Sequence, residues 1–341
     1  MDHAKFLTRC LQLASYGRGR TNLNPSVGAV VVCDGKIIGE GYHHQYGGPH
    51  AEVLAIRAVQ NPELLRRSTL YCTLEPCAHY GKTPPCCELI TAHGIPHVVI
   101  GCTDPHEKVD GKGIAHMKAH GVKVELSEQP ERFIQAHKSF WTNFSLARPM
   151  ITLKWAQSKD GFVDAQRADD ASPAALSGPL AAIASHRLRA RVDGILISSK
   201  TLAVDRPSLS TRNWSGTSPR PILLQSERYP ITQTLASCLH SPPLVVAKEP
   251  IDGFETILCD PKDVKKFLPQ LLNRGIGHLL VEGGAQVLQS FIDLELYDEV
   301  WNYKSTVKEL VHGVAAPQLP ENDHCTEHTF ITEEDHWYVR G

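Results

Sequence analysis

No stretch of this 341-residue chain approaches the roughly 20 consecutive apolar residues that a membrane-spanning helix needs. The opening, Met1-Asp2-His3-Ala4-Lys5, lacks a signal-peptide core. These absences point to a cytoplasmic protein with no membrane partner. Surplus positive charge is missing too, because 35 Lys and Arg face 37 Asp and Glu, a formal net charge of −2. Without a global basic field a chain is not built to hold a phosphate backbone, so nucleic acid is not an expected partner. Ten cysteines are too sparse for a secreted disulfide scaffold. Gly-x-Gly-x-x-Gly is also absent, which argues against a Rossmann domain. There is no internal repeat.

What remains is ordinary soluble composition, 42% hydrophobic and 21% charged, at a length that suggests two domains. Phe6, Leu7, Cys10, Leu11 and Ala14 recur at helical spacing, and Asp34-Gly35 joins strands expected at 27–33 and 36–41. Further strands are expected at 69–73 and 97–101, with helices after His50 and near Cys86. A helical connector is expected over 130–146, and Arg148-Pro149 then opens a second strand–helix alternation. The expected domains are therefore 1–148 and 149–341.

Most of the chemistry in the first half lies in His50-Ala51-Glu52, Pro76-Cys77 and Cys86. One imidazole and two thiolates fill three of the four positions of a tetrahedral Zn²⁺, leaving one for water, as in a catalytic site. Glu52 is the spare proton carrier. These are the parts of a zinc deaminase, in which a metal-activated water attacks an amino-bearing ring carbon. Eight residues separate the two cysteines, where the usual nucleobase deaminase signature has two. A structural zinc would want a fourth protein ligand, for which His79 is the nearest candidate.

In its first 125 residues the chain resembles the RibD family of bifunctional riboflavin biosynthesis proteins. The resemblance rests on Asn24-Pro25-Ser26-Val27-Gly28, Pro49-His50-Ala51-Glu52, Leu74-Glu75-Pro76-Cys77, Thr83-Pro84-Pro85-Cys86 and Asp104-Pro105. The second half is similar to that family's reductase through Ser158-Lys159-Asp160-Gly161, His186-Arg187-Leu188-Arg189-Ala190 and Val281-Glu282-Gly283-Gly284. The resemblance implies a cytidine-deaminase-like three-layer α/β/α domain followed by a dihydrofolate-reductase-like α/β domain. It implies zinc on His50, Cys77 and Cys86, with Glu52 as general acid and base. The implied substrate is 2,5-diamino-6-(5-phosphoribosylamino)pyrimidin-4(3H)-one, deaminated and then reduced by NADPH from ribosyl to ribityl. Asn24 would contact this substrate in the first site, with His44 and Lys82 near its phosphoribosyl part.

In the second site Arg189, Leu209, Arg212 and Glu282 would contact the substrate. Gln157, Thr201, Asp205 and the run Gly284, Ala285, Gln286, Val287, Leu288, Gln289 and Ser290 would lie against NADPH. The family further suggests a homodimer or tetramer. The second half departs from the family pattern at Pro173-Ala174-Ala175-Leu176-Ser177, Arg206 and Gln225. Those departures leave open a deaminase whose reductase domain is only a scaffold. A nucleic-acid editor is the third reading, disfavoured by charge.

Overall fold

Apolar runs decide the centre of each half. The computed structural model describes residues 3–80, 84–106, 109–167, 171–320, 327–331 and 335–340, the last two spans by their backbone. The chain divides into two compact units, Met1–Ala147 and Arg148–Gly341.

The first unit runs α1 (His3–Ser15), β1 (Gly28–Cys33), β2 (Lys36–Tyr42), α2 (Ala51–Arg57), β3 (Thr69–Leu74), α3 (Cys86–Ala92), β4 (His97–Cys102), α4 (Lys112–Ala119), β5 (Lys123–Leu126), α5 (Pro130–Ala136) and α6 (Lys138–Leu146). Its sheet has the order β2-β1-β3-β4-β5, with β1 antiparallel to both neighbours and β3, β4 and β5 parallel. Every residue of β1 and β3 is buried, as expected for strands covered on both faces. Val30, Tyr71 and Val99 meet α1, α5 and α6 on one face, whereas Val31, Leu70 and Ile100 meet α2, α3 and α4 on the other. Three layers result.

The connector expected as one helix over 130–146 is two helices, because His137 leaves helical geometry at φ −107°, ψ 20°. Phe133 from the first and Phe140 from the second pack on the same sheet face. A Cβ on Gly101 would lie 2.3 Å from the Phe133 ring, so only glycine lets α5 approach this closely.

The second unit comprises β6 (Met150–Gln157), β7 (Phe162–Ala165), α7 (Pro179–Arg189), β8 (Gly194–Ser198), α8 (Ser199–Asp205), β9 (Arg220–Leu224), α9 (Gln233–Ala236), β10 (Leu244–Ala247), β11 (Glu255–Leu258), α10 (Val264–Leu272), β12 (His278–Val281), α11 (Ala285–Asp293), β13 (Glu299–Ser305), β14 (Gly313–Ala315), β15 (Glu327–Ile331) and β16 (Asp335–Arg340). Nine strands form one sheet in the order β11-β10-β9-β8-β12-β6-β13-β16-β15. The first seven in that order are parallel, and β16 and β15 add an antiparallel edge. Residues alternate between faces along each strand, so Leu153, Trp155 and Val281 pack with α10 and α11 while Leu280 packs with Leu188 of α7 and Leu202 of α8. In that alternation Lys154 faces away from the Trp155 side.

Candidate active sites

His50 stands in extended geometry immediately before α2, and Glu52 occupies the first turn of that helix. Cys86 is the first residue of α3, and Cys77 lies in the loop that follows β3. Strand ends and helix starts converge there. The Sγ of Cys77 and of Cys86 lie 3.5 and 3.3 Å from His50 Nδ1, and all three donor atoms are within 4.8 Å of one another. An ion about 2.0–2.3 Å from each ligand in tetrahedral geometry separates its ligands by about 3.3–3.8 Å, so this donor set fits zinc. The backbone N–H of Cys86 donates to Cys77 Sγ at 3.3 Å. Hydrogen bonding from the Cys86 thiol, with that from His50, holds Cys77 down at about 4 against the opposing push of burial, and Cys86 keeps the shared proton. Burial pushes Glu52 up to about 7.

His50, Glu52 and Cys77 line a cavity of about 360 Å³ whose wall also includes Asn24, His43, Glu75 and Asp104. Asn24 Nδ2 lies 3.5 Å from His43 Nε2, and the other His43 nitrogen meets Pro49 O at 3.0 Å. His44 does not share this wall. It is exposed and stacks on Tyr42 with ring centroids 4.1 Å apart, because neighbouring residues leaving β2 point to opposite sides. Lys82 lies outside the described residues. His79 is not among the clustered donors and stands at the cavity wall.

Sequence reasoning passed over His43, Glu75, Phe140 and Phe144, all in the cavity wall. The Glu75 carboxylate accepts the backbone N–H groups of Gly111 at 3.1 Å, Ile114 at 3.2 Å and Asp104 at 3.4 Å, anchoring the loop before α4. Its sequence signal was its place in Leu74-Glu75-Pro76-Cys77, beside the metal-site cysteine.

In the second unit Arg189 and Glu282 come together. The guanidinium donates to Glu282 through Nε at 3.2 Å and Nη2 at 2.6 Å, and through Nη1 to Ser210 O at 3.2 Å. Each nitrogen of the fork therefore has a protein partner, and Arg189 holds the Glu282 carboxylate. Burial pushes Glu282 up, but Arg189 and Lys154 outweigh it and hold the carboxyl at about 2. Lys154, its pKa lowered by burial, lies 5.3 Å from the centre of the Tyr303 ring. Taken alone in the sequence, Lys154 reads as an edge-strand charge, but β6 lies inside the sheet between β12 and β13.

The residues expected at a nucleotide cofactor separate into groups. Gly284 has φ +67° and precedes α11, and a Cβ there would stand 3.6 Å from the Ser198 and Thr201 hydroxyls. Gly283 is equally constrained, since its Cβ would fall 2.3 Å from Ile197 Cα. Hydroxyls, a bare backbone and a helix start make a cradle that fits a phosphate. Gln157 is elsewhere, accepting from Trp155 Nε1 at 2.8 Å and Asn302 Nδ2 at 3.1 Å beside a separate pocket of about 280 Å³. Gln289 donates to Gln318 O, which belongs to the segment bordering that pocket.

The seven-residue run 284–290 does not act as a block, because a helix turns about 100° per residue. Its Leu288 is buried in the core beside Phe291. Asp205 is bound by Arg167 at 2.6 Å, Leu209 is buried with φ +55°, and Arg212 is exposed and donates to Ser208 Oγ at 3.1 Å. Of the departures, Gln225 Oε1 accepts Ile231 N at 3.0 Å, Arg206 ends α8 in the left-handed region, Ala175 O accepts Lys308 Nζ, and the neighbouring Leu176 is buried.

Residues 1–102 match the family described as the cytidine and deoxycytidylate deaminase zinc-binding region, and residues 149–305 match the RibD C-terminal domain. The riboflavin biosynthesis protein RibD of Aquifex aeolicus is 34% identical over 313 residues, covering 86% of this chain and 84% of its own.

The chain belongs to the RibD family.

The RibD of Haemophilus influenzae is 35% identical over 320 residues, 87% of this chain and 84% of that one. A solved RibD-family structure from Thermotoga maritima, a diaminohydroxyphosphoribosylaminopyrimidine deaminase/5-amino-6-(5-phosphoribosylamino)uracil reductase, superposes with a TM-score of 0.87 at 31% identity, covering 99% of this chain and 98% of its own. Like the rest of the RibD family, this chain is a bifunctional protein of riboflavin biosynthesis, with a zinc-binding deaminase domain followed by a dihydrofolate-reductase-like domain. No helix among the described residues is long and apolar enough to cross a membrane.

Proposed function

We propose that the first unit deaminates 2,5-diamino-6-(5-phosphoribosylamino)pyrimidin-4(3H)-one and that the second reduces the product's ribosyl group to ribityl. The observation that carries this reading is the three-donor cluster, two of whose members, His50 and Cys77, line one cavity with Glu52. His50, Cys77 and Cys86 would hold zinc, which supplies Lewis acidity and a water that ionises near neutrality. Glu52 takes a proton from the attacking water and delivers it to the ring nitrogen and the departing ammonia. Asn24, held beside His43, offers an amide donor and acceptor to the edge of the base.

In the second unit the hydroxyls of Ser198 and Thr201 and the backbone at Gly284 would hold a phosphate of NADPH, which supplies the hydride. Lys154 and Glu282 meet the ribosyl part, and Arg189 is a positioning residue that keeps Glu282 ionised. Arg212, exposed and bound by one hydroxyl, is available to the substrate phosphate. The reading includes a cytoplasmic homo-oligomer, which light scattering on the purified protein checks.

The deciding experiment incubates the purified, zinc-loaded protein with the diaminopyrimidine phosphate, with and without NADPH, and identifies products by mass. Ammonia release without NADPH, and a further gain of two hydrogens with it, are expected. No ammonia from zinc-loaded protein sinks the deaminase assignment. Ammonia without NADPH oxidation leaves the second unit as a scaffold.

A further inference from the structure

Four rings form one continuous row along the wall of the deaminase cavity. His79 lies parallel to His106 with centroids 6.2 Å apart and planes at 18°, and His106 meets Phe144 edge to face at 4.6 Å and 62°. Phe144 in turn meets Phe140 at 4.8 Å and 65°. All four line the cavity whose wall also includes Glu52, His50 and Cys77. They come from three separate places: the loop after Cys77, the loop after β4, and α6.

Burial explains Phe140, which is 6% exposed, but not Phe144, which remains 43% exposed at the end of α6. A large ring left open to solvent at a cavity wall contributes little to folding and is available to a ligand. His106, Phe140 and Phe144 also fall beyond residue 102, where the match to the zinc-binding region stops. The metal-binding part of the fold is therefore complete without them, and they can vary with the substrate.

We propose that Phe144, braced by His106, is a specificity-determining residue of the deaminase, its ring face receiving the ribose of the substrate. This rests on the deaminase reading above. The pyrimidine carbon that loses its amino group must sit beside Glu52 and the three donors, which sends the ribosyl substituent toward the rest of the cavity wall. Ribose C–H edges carry slight positive charge and pack on the negative face of an aromatic ring, whereas a pyrimidine without a sugar gains nothing there. A cavity of about 360 Å³ falls within the range of about 300–1,000 Å³ that encloses a whole small ligand, so it has room beyond the base.

The test is the steady-state rate of ammonia release by the full-length, zinc-loaded protein, comparing wild type with Phe144→Ala, Phe144→Leu and Phe144→Tyr. Phe144→Ala and Phe144→Leu are expected to raise KM for the phosphoribosyl substrate about five- to tenfold at unchanged kcat, the mark of lost binding made equally in ground and transition states. Phe144→Tyr, which keeps the ring, is expected to restore the wild-type KM. Phe144→Leu keeps an apolar side chain of similar bulk, so it separates loss of the ring from loss of packing should the alanine variant fail to fold. A KM for Phe144→Leu within twofold of wild type, or a loss confined to kcat, overturns the assignment. Absence of ammonia release from wild type would instead remove the deaminase reading itself.

Discussion

The two units build their sites in opposite ways. In the first, the chemistry is local: His50 and Glu52 are two residues apart, Cys77 and Cys86 nine apart, and each sits where a strand or helix begins or ends. In the second, Lys154, Arg189 and Glu282 come from β6, α7 and the end of β12, more than 120 residues from first to last, and an ion pair joins two of them. A metal site asks for soft donors at short range and so leaves a compact motif. A site held by buried charge needs only that distant strands lie side by side, and leaves almost none.

Removing one key residue from each unit should therefore produce different failures. Glu52→Gln is expected to lower ammonia release by about 10²- to 10⁴-fold, the usual share of a general acid and base, with NADPH oxidation on the deaminated product unchanged. Stripping zinc with a chelator should do the same to the first activity, and metal analysis should then find less than one zinc per chain. If the chelated protein deaminates at full rate, the local-motif account fails.

Glu282→Gln should act on stability as well as chemistry. It leaves Arg189 and Lys154 without a counter-charge in a site where the ion-pair side chains are 13% and 9% exposed. Breaking a buried pair from one side costs about 3–5 kcal/mol, so thermal unfolding of the second unit should fall with loss of NADPH oxidation while ammonia release persists. An unchanged melting profile would show that the charges are not coupled.

Opposite pH responses give the finest contrast. Burial, aided by the Arg18 charge, holds His137 of the first unit down at about 4, against about 6.5 in an unfolded chain. Between those values the unfolded chain takes up a proton that the folded one refuses, so this histidine weakens the first unit as pH falls from about 6.5 toward 4. Burial raises Asp193 of the second unit to about 6, against about 3.9 unfolded, even though its Oδ2 accepts Gly277 N and His278 N at 2.9 and 2.8 Å. Here the folded form binds the proton more readily, so its destabilising effect is full above pH 6 and relieved as pH falls toward 4. Each shift is worth about 3 kcal/mol at most. Denaturant unfolding of His137→Leu and Asp193→Asn across pH 4.5–7.5, subtracted from wild type, should give slopes of opposite sign. Equal slopes would remove the contrast.

The fold class was legible because strand periodicity and apolar runs are short-range signals, and β1, β3, β6, β8 and β12 fall where the apolar residues cluster. The break at His137 was hidden, since a helix-forming run reads the same whether or not one residue leaves helical geometry. His43 was missed in favour of His44 because a one-residue difference decides which face a side chain takes as β2 ends. Leu288 looked like part of a nucleotide-binding run until the turn of α11 carried it into the core. In the antiparallel edge β16 pairs with β13 across more than 20 intervening residues, with no pattern that names the partner.

By itself the amino-acid sequence determined the donor set, the acid two residues past His50, the two α/β halves and the likeness to RibD, because ligand identity and local periodicity are written in neighbouring residues. Tertiary structure decided that Arg189 faces Glu282, that Lys154 lies half-buried near them, and that α6 brings Phe140 and Phe144 to the wall of the metal-site cavity. Those facts depend on how strands and helices pack across the sheet, and packing is set by the whole set of contacts rather than by any one segment.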